Sequence, residues 1–90
     1  MQESAVTLTK IDISFITVNF NGLLDTLELI QSIVSHIKSV TYEIIVVDNA
    51  SQQKEALSAL HSFPQVKLII SPKNLGFAGG NNLGIKAALG

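Results

Sequence analysis

The chain has 90 residues, of which 47% are hydrophobic and 14% are charged, and its formal net charge is −1. This length suits one small domain, and the hydrophobic content excludes an intrinsically disordered chain. The near balance of charges provides no positive surface for nucleic acid, and the lack of cysteine excludes disulfides and thiolate metal sites. We therefore expect one folded domain over residues 11–90, preceded by a tail of residues 1–10.

The hydrophobic segments are too short to cross a membrane. The longest uninterrupted apolar run is Ile44–Val47, whereas a membrane-spanning helix needs about 20 apolar residues. The first ten residues contain no apolar stretch followed by a small-residue cleavage site, so they do not resemble a secretory signal. We expect a cytoplasmic protein.

The first predicted elements are a buried strand and an amphipathic helix. The strand is a β-branched and aromatic run that is too apolar to have one solvated face. In the helix, apolar residues recur at spacings of four, three, four and three, which places them on one stripe. Asn21 or Gly22 is expected to cap its start. The strand residues are Ile11, Ile13, Phe15, Ile16 and Val18, and the stripe residues are Leu23, Leu27, Ile30, Val34 and Ile37.

A second strand and a short helix are predicted next. The strand Tyr42–Val47 contains the clearest buried run of the sequence, and it stops abruptly at the polar segment Asp48–Ser51. Ser51 is expected to cap the short helix that follows. The apolar positions of this helix are Ala56, Leu57 and Leu60.

The last part of the chain is predicted to form a third strand and a final helix. Pro64 ends the short helix, and the β-branched run Val66–Ile70 indicates the third strand. A turn over residues 71–74 follows. The glycine-rich stretch Gly76–Gly80 is then expected to lead into a helix that ends at residues 86–90.

Strands that alternate with helices predict an α/β fold, here a three-layer Rossmann-like βαβαβα arrangement with a parallel sheet. Such a sheet binds ligands outside the carboxyl ends of its strands. Three segments of this sequence fall at those ends, namely residues 17–21, 48–51 and 71–80. Candidate functional residues are therefore sought there.

The polar residues at these strand ends allow two interpretations. Asp48 follows a buried strand, where its carboxylate could accept hydrogen bonds from a nucleoside. Alternatively, Asp48, Asn49 and Ser51 form an Asx-type turn that caps the next helix. Asn19 and Asn21 likewise either line a ligand cleft or satisfy the backbone of a turn.

The glycines also allow two interpretations. Backbone N–H groups at a helix start can bind a diphosphate, whereas Gly76, Gly79 and Gly80 could instead permit positive φ and a close approach of helix to sheet. Two common nucleotide fingerprints are absent. Lys86 is one position too late for a P-loop and no Ser or Thr follows it, and residues 19–22 after the first strand lack the dinucleotide pattern of glycines. An ATPase and a nicotinamide dehydrogenase are therefore disfavoured.

Three linked motifs closely resemble the start of family 2 glycosyltransferases. They are TVNFNG (residues 17–22), EIIVVDNAS (43–51) and NLGFAGGNNLGI (74–85), and their order, spacing and strand context agree with that family. The resemblance covers residues 11–90. The segment NLGFAGGNN is most similar to the corresponding segment in the branch of rhamnosyl and related transferases, which build bacterial surface polysaccharides.

The resemblance implies the front half of a GT-A fold, from an enzyme that transfers a sugar with inversion. The donor would be a UDP- or dTDP-sugar, and the acceptor a hydroxyl of a glycan or of a lipid-linked molecule. It also implies that Asp48 binds the pyrimidine, that Thr17–Asn19 flank base and ribose, and that residues 74–82 lie near ribose and diphosphate. The implied nucleotide-binding residues are Thr17, Val18, Asn19, Asn21, Asp48, Asn49, Ser51, Asn74, Gly76, Gly79, Gly80, Asn81 and Asn82.

Several parts of the family pattern are missing from the sequence. Many relatives carry an arginine near Gly80 or Asn81, and this sequence has none there. Relatives also carry an Asp-x-Asp-like metal motif and a later general base, whereas the three aspartates of this chain are isolated: Asp12, Asp25 and Asp48. We therefore expect no catalytic residue and no metal ligand in this chain, and Mn²⁺ or Mg²⁺ only in a full-length enzyme.

The chain is accordingly interpreted as the nucleotide-binding front part of a longer transferase. The alternative is a stand-alone nucleotide-binding or interaction module without catalysis. In the GT-A fold a later strand lies beside the first strand. We therefore also expect self-association of this chain, through an exposed sheet edge or through the helix faces that the rest of that fold would cover.

Overall fold

The computed structural model describes residues 10–52 and 60–89, which form three strands, two α-helices and a 3₁₀ turn at residues 60–62. The strands and α-helices follow one another as strand, helix, strand, strand and helix. In chain order they are β1 (Ile13–Asn19), α1 (Leu23–His36), β2 (Tyr42–Asn49), β3 (Val66–Ser71) and α2 (Gly76–Ala87). Ala56 and Leu57 of the predicted short helix lie outside the described residues.

The strands form one parallel sheet in the order β1-β2-β3. In its register, Asn19 of β1 lies opposite Asp48 of β2, and Asn49 of β2 lies opposite Ser71 of β3. Ile44–Val47 in the central strand are fully buried. This confirms the clearest buried run of the sequence. The first strand, which is also expected to be buried on both faces, is so only in part: Ile13 is exposed and residues 14–18 are half-buried, because β1 lies at an edge of the described sheet.

One face of the sheet packs against α1. Ile30 and Ile33 of the helix join Ile44, Val46 and Leu60 in a buried cluster. The other stripe residues, Leu23, Leu27, Val34 and Ile37, pack against this cluster. Burying one isoleucine side chain contributes about 1.5–3 kcal/mol, so this stripe is a main reason why the segment folds as a helix on the sheet.

The opposite face of the sheet packs against α2, and glycine makes this contact possible. A Cβ atom on Gly80 would lie 3.0 Å from Cγ2 of Val18, and one on Gly84 would lie 2.5 Å from Cγ2 of Ile16. The distance at Gly84 is too short for two carbon atoms, and the distance at Gly80 is tight, so the helix backbone lies directly on the sheet. With α1 and α2 on opposite faces, the predicted three-layer α/β class is confirmed.

The glycine-rich stretch is part of α2, whereas its composition predicts a loop that leads into the helix. The helix begins at Gly76, whose φ is +76°, and Gly79 and Gly80 lie inside it. Glycine lowers helix propensity by about 1 kcal/mol. The close packing of α2 on the sheet outweighs this cost, which a reading of local propensity could not show.

The strand boundaries also differ from the prediction. β1 begins at Ile13 and not at Ile11, and it continues to Asn19, while β2 continues through Asp48 and Asn49. Polar side chains had suggested turns at these positions. Strand pairing uses backbone groups, however, and it continues there because each strand still has a neighbour to pair with.

Gly22 is the residue that precedes α1, and it makes no side-chain cap. Asn21, the other cap candidate, has φ +54°, and its side-chain oxygen accepts a hydrogen bond from the backbone N–H of Gln52.

In the part of the chain that the structure describes, neither helix combines the length and the apolar character needed to cross a bilayer.

Candidate functional site

A cluster of polar side chains joins the carboxyl ends of β1 and β2. We call it the carboxyl-edge cluster, and its members are Asn19, Asn21, Thr26, Asp48 and Ser51. All of them except Asn21 are buried, and Asp48 has no exposed surface. Buried polar groups are costly unless they are hydrogen-bonded, so the partners of each group decide what this cluster can do.

The carboxylate of Asp48 accepts hydrogen bonds from Ser51 and Asn19. Ser51 donates to it through its backbone N–H at 3.1 Å and through its hydroxyl at 2.5 Å, and Nδ2 of Asn19 donates at 2.9 Å. The bond from the backbone N–H of Ser51 reaches back three residues, whereas an Asx-type turn spans two. The helix that such a turn would cap lies outside the described residues, so the capping interpretation and the implied contact of Asp48 with a pyrimidine both stay predictions.

Asn19 connects this carboxylate to α1. Its Nδ2 donates to Asp48 and, at 3.3 Å, to the hydroxyl of Ser51, while its Oδ1 accepts a hydrogen bond of 2.6 Å from the hydroxyl of Thr26. Both ends of the amide are thus engaged. The cluster holds two strand ends and one helix in a fixed relationship.

The loops after β1 and β2 are tied to each other. The backbone N–H of Asn21 donates to the hydroxyl of Ser51, and Oδ1 of Asn21 accepts from the backbone N–H of Gln52, both at 2.9 Å. Asn21 and Ala50 are the described residues other than glycine with positive φ, at 54° and 66°. Such backbone conformations cost free energy and persist where the surrounding contacts hold them.

Asn49 belongs to a second group of contacts, at the start of α2. Its Oδ1 accepts from the backbone N–H of Leu75 at 2.8 Å, and its Nδ2 donates to the carbonyl of Gly76 at 2.9 Å. Asn74 accepts from the backbone N–H of Gly76 at 2.8 Å. Asn49 is therefore fixed as a link between β2 and α2, and this N–H of Gly76 is already engaged.

The remaining predicted site residues lie in β1 and α2. Thr17 is half-buried in β1, whereas Val18 contacts α2 at Gly80. Gly79, Asn81 and Asn82 belong to α2, where Asn82 is exposed. Within the described part of the chain, no hydrogen bond joins Asn81 or Asn82 to the carboxyl-edge cluster. The structure thus brings the first two motifs together and places the third beside them through Asn49.

A cleft of about 310 Å³ opens between β1 and the start of α1. Three predicted residues, Thr17, Val18 and Asn19, contribute to its wall. Its other lining residues are Phe20, Gly22, Asp25, Thr26 and Leu29. The cleft combines an aromatic ring, two hydroxyls, an amide and a carboxylate, which are groups that can contact the ring and the hydroxyls of a nucleoside.

The described residues do not fit a divalent metal ion. No group of three or more His, Cys, Asp or Glu side chains is found among residues 10–52 and 60–89. The buried Asp48 already accepts hydrogen bonds from Ser51 and Asn19, and Asp25 is an exposed carboxylate in the cleft. The expectation of Mn²⁺ or Mg²⁺ concerns a full-length enzyme and stays a prediction.

Thr26 is a member of the site that the sequence analysis missed. It lies four residues before Ile30, which places it on the buried side of α1. A hydroxyl residue on that side needs a partner within the fold. Its position on the buried side of the helix could have identified Thr26 as a residue with a polar partner, although the sequence does not show which residue that partner is.

The comparison with known families agrees with this arrangement. The family model of glycosyl transferase family 2 matches residues 14–90. The chain belongs to glycosyl transferase family 2. A comparison with curated proteins gives no match.

Membership of glycosyl transferase family 2 accounts for the architecture as well as for the motifs. The three parallel strands, with helices on both faces, correspond to the front half of the GT-A fold that the sequence predicted. The match begins within β1 and therefore includes the whole carboxyl-edge cluster and the cleft. The branch within the family and the roles of individual residues stay predictions.

Proposed function

We propose that this chain is the nucleotide-sugar-binding part of an inverting glycosyltransferase. The donor is a UDP- or dTDP-sugar, and the acceptor is a hydroxyl of a glycan or a lipid-linked molecule. The observation that carries the proposal is the carboxyl-edge cluster beside the cleft. Parallel α/β sheets bind ligands at this edge, and family membership makes a sugar nucleotide the ligand class.

The cluster suits a binding site because its geometry is already fixed. Asn19, Asp48 and Ser51 are buried and hydrogen-bonded to one another, so little side-chain entropy remains to be lost when a ligand arrives. The cleft beside them is open to solvent at Phe20, whose side chain is half-exposed. Phe20 offers a ring on which a pyrimidine could lie, and Thr17 lines the same cleft with a hydroxyl.

The proposed pathway is the synthesis of bacterial surface polysaccharide or of a glycoconjugate, in the cytoplasm or at the inner face of the membrane. This part of the proposal is supported by the amino-acid sequence of residues 74–82, which resembles that of the rhamnosyltransferase branch. In the structure that segment forms the start of α2, held by Asn49. We propose that catalysis of the sugar transfer is carried out by groups other than the described residues.

We further propose that the isolated chain self-associates through the free edge of β1. In the described sheet β1 pairs with β2 alone, and Ile13–Asn19 contains no charged residue. The other edge strand, β3, carries Lys67 and lies between Pro64 and Pro72. Charges and prolines are features that protect sheet edges from pairing, so β1 is the edge expected to pair with a second copy.

Titration with nucleotides, followed by NMR of the backbone amides, tests the proposed function. UDP and dTDP should shift signals of the cleft and the carboxyl-edge cluster, whereas Thr41 at the amino end of the sheet should stay unchanged. ADP is the matched control for a diphosphate with the wrong base. The proposal fails if neither pyrimidine nucleotide gives saturable shifts up to about 10 mM, since even a millimolar site would then be occupied.

A further inference from the structure

The hydroxyl of Thr26 makes a contact across the fold. Threonine hydroxyls inside helices often bond to a carbonyl of the preceding turn. Here Oγ1 of Thr26 instead donates to Oδ1 of Asn19 in β1, at 2.6 Å. Thr26 is buried on the sheet side of α1, so this contact links the helix to the carboxyl-edge cluster.

The orientation of the Asn19 amide follows from what lies on each side of it. A carboxylate oxygen accepts hydrogen bonds, so the side of the amide that faces Asp48 must be its NH₂ group. The amide oxygen then points the opposite way and requires a donor. Thr26 supplies that donor, and the amide is held in one orientation from both ends.

We infer that Thr26 is a positioning residue for nucleotide binding, acting through Asn19. Its hydroxyl keeps the NH₂ group of Asn19 on Asp48 and Ser51, and this fixes the hydrogen-bonding groups that the cleft presents to a ligand. The inference deepens the proposed function and rests on it. Asn19 and Thr26 both line the cleft, whereas Asp48 and Ser51 do not. A turned amide would therefore offer the ligand a donor on the Thr26 side, where an acceptor had been.

Removing the hydroxyl should therefore loosen the amide without removing the side chain that fills the space. Thr26→Val keeps the branched shape and leaves Oδ1 of Asn19 as a buried acceptor without its donor. Such a group turns, or recruits water, to regain a partner. Thr26→Ser keeps the hydroxyl, so the hydrogen bond to Asn19 can form again.

The first measurement is the affinity of the chain for UDP and dTDP by calorimetry. Thr26→Val should bind about tenfold more weakly, the effect of one lost hydrogen bond to a buried group, and Thr26→Ser should restore the affinity to within about twofold. Thr41→Val is the matched control, because Thr41 bonds to Asp12 and Lys10 at the amino end of the sheet. An unchanged affinity for Thr26→Val overturns the inference.

The second measurement separates this inference from the proposed function. The side-chain NH₂ protons of Asn19 should exchange with solvent about tenfold faster in Thr26→Val than in the chain without substitutions or in Thr26→Ser. Unchanged exchange would reduce Thr26 to a packing residue and overturn the inference. If the unchanged chain binds neither nucleotide, the proposed function fails, and the Asn19 signals alone decide whether Thr26 positions this amide.

Discussion

Asn19 and Asp48 lie opposite each other in the parallel register of β1 and β2, and their side chains are hydrogen-bonded at 2.9 Å. The two strand ends are therefore joined by side chains as well as by the backbone. Both residues are buried, so each depends on the other to satisfy a polar group. This pair makes the carboxyl edge of the sheet a fixed structure and gives the first prediction.

Asp48→Ala should lower the free energy of unfolding by about 1–3 kcal/mol, because Ser51 and Asn19 lose a buried acceptor. In a full-length enzyme it should also weaken nucleotide binding by about 1–3 kcal/mol. Denaturant unfolding and calorimetry measure the two effects. Asp12→Ala, at the exposed amino end of β1, is the control. Unchanged nucleotide affinity with an intact fold would leave Asp48 as a turn-forming residue.

Gly84→Ala should destabilise the fold by about 1–3 kcal/mol, because the new Cβ would lie 2.5 Å from Cγ2 of Ile16. Asn82→Ala, at an exposed position of the same helix, should be neutral or slightly stabilising. Thermal unfolding provides the comparison. Adding Ile16→Ala removes the opposing methyl group, so the double variant should lose less stability than the sum of the single variants; strict additivity would contradict the close contact.

The purified chain should show no sugar transfer from any nucleotide sugar, with or without Mn²⁺ or Mg²⁺. Transfer by this family pattern needs a metal site and a base, and the described residues provide no cluster of metal ligands. Release of UDP or dTDP in the presence of acceptor sugars is the measurement. Turnover above background by the purified chain would show that this expectation is wrong.

Self-association should increase with concentration and should be reduced by Ile13→Lys, which places a charge on the free edge of β1. Ile70→Lys on β3 is the matched control, because Ile13 and Ile70 are both exposed, at 39% and 49%. Light scattering over a concentration series gives the result. A chain that stays monomeric at millimolar concentration, or an equal effect of both variants, would exclude the β1 edge as the interface.

The main elements could be predicted because they depend on patterns within short segments. The short continuous run Ile44–Val47, which is β-branched and ends at polar residues, indicates a buried strand. The stripe that includes Ile30 indicates α1, since its spacings of four and three follow the helical period. The ends of these elements were predicted less accurately. Asp48 and Asn49 were expected in a turn, because their polarity is a local signal, whereas pairing with a neighbouring strand extends β2 through them.

The sequence predicted where the candidate site lies, but only some of the residues and contacts that form it. The sequence placed Asn19, Asp48 and Ser51 at the same edge of the sheet, because parallel strands bring their carboxyl ends together. It could not show that Asn49 is engaged by the start of α2, or that Thr26 bonds to Asn19. Those contacts depend on how a helix packs against a sheet.

The α/β class, the parallel strands and the family could be predicted from the amino-acid sequence, because hydrophobic patterns and motif spacing are properties of the chain. The hydrogen-bond partner of each polar group could not, and neither could the position of Gly80 and Gly84 within α2, against Val18 and Ile16. Hydrogen bonds and close contacts are set by distances between segments far apart in the chain, and only the folded backbone fixes those distances.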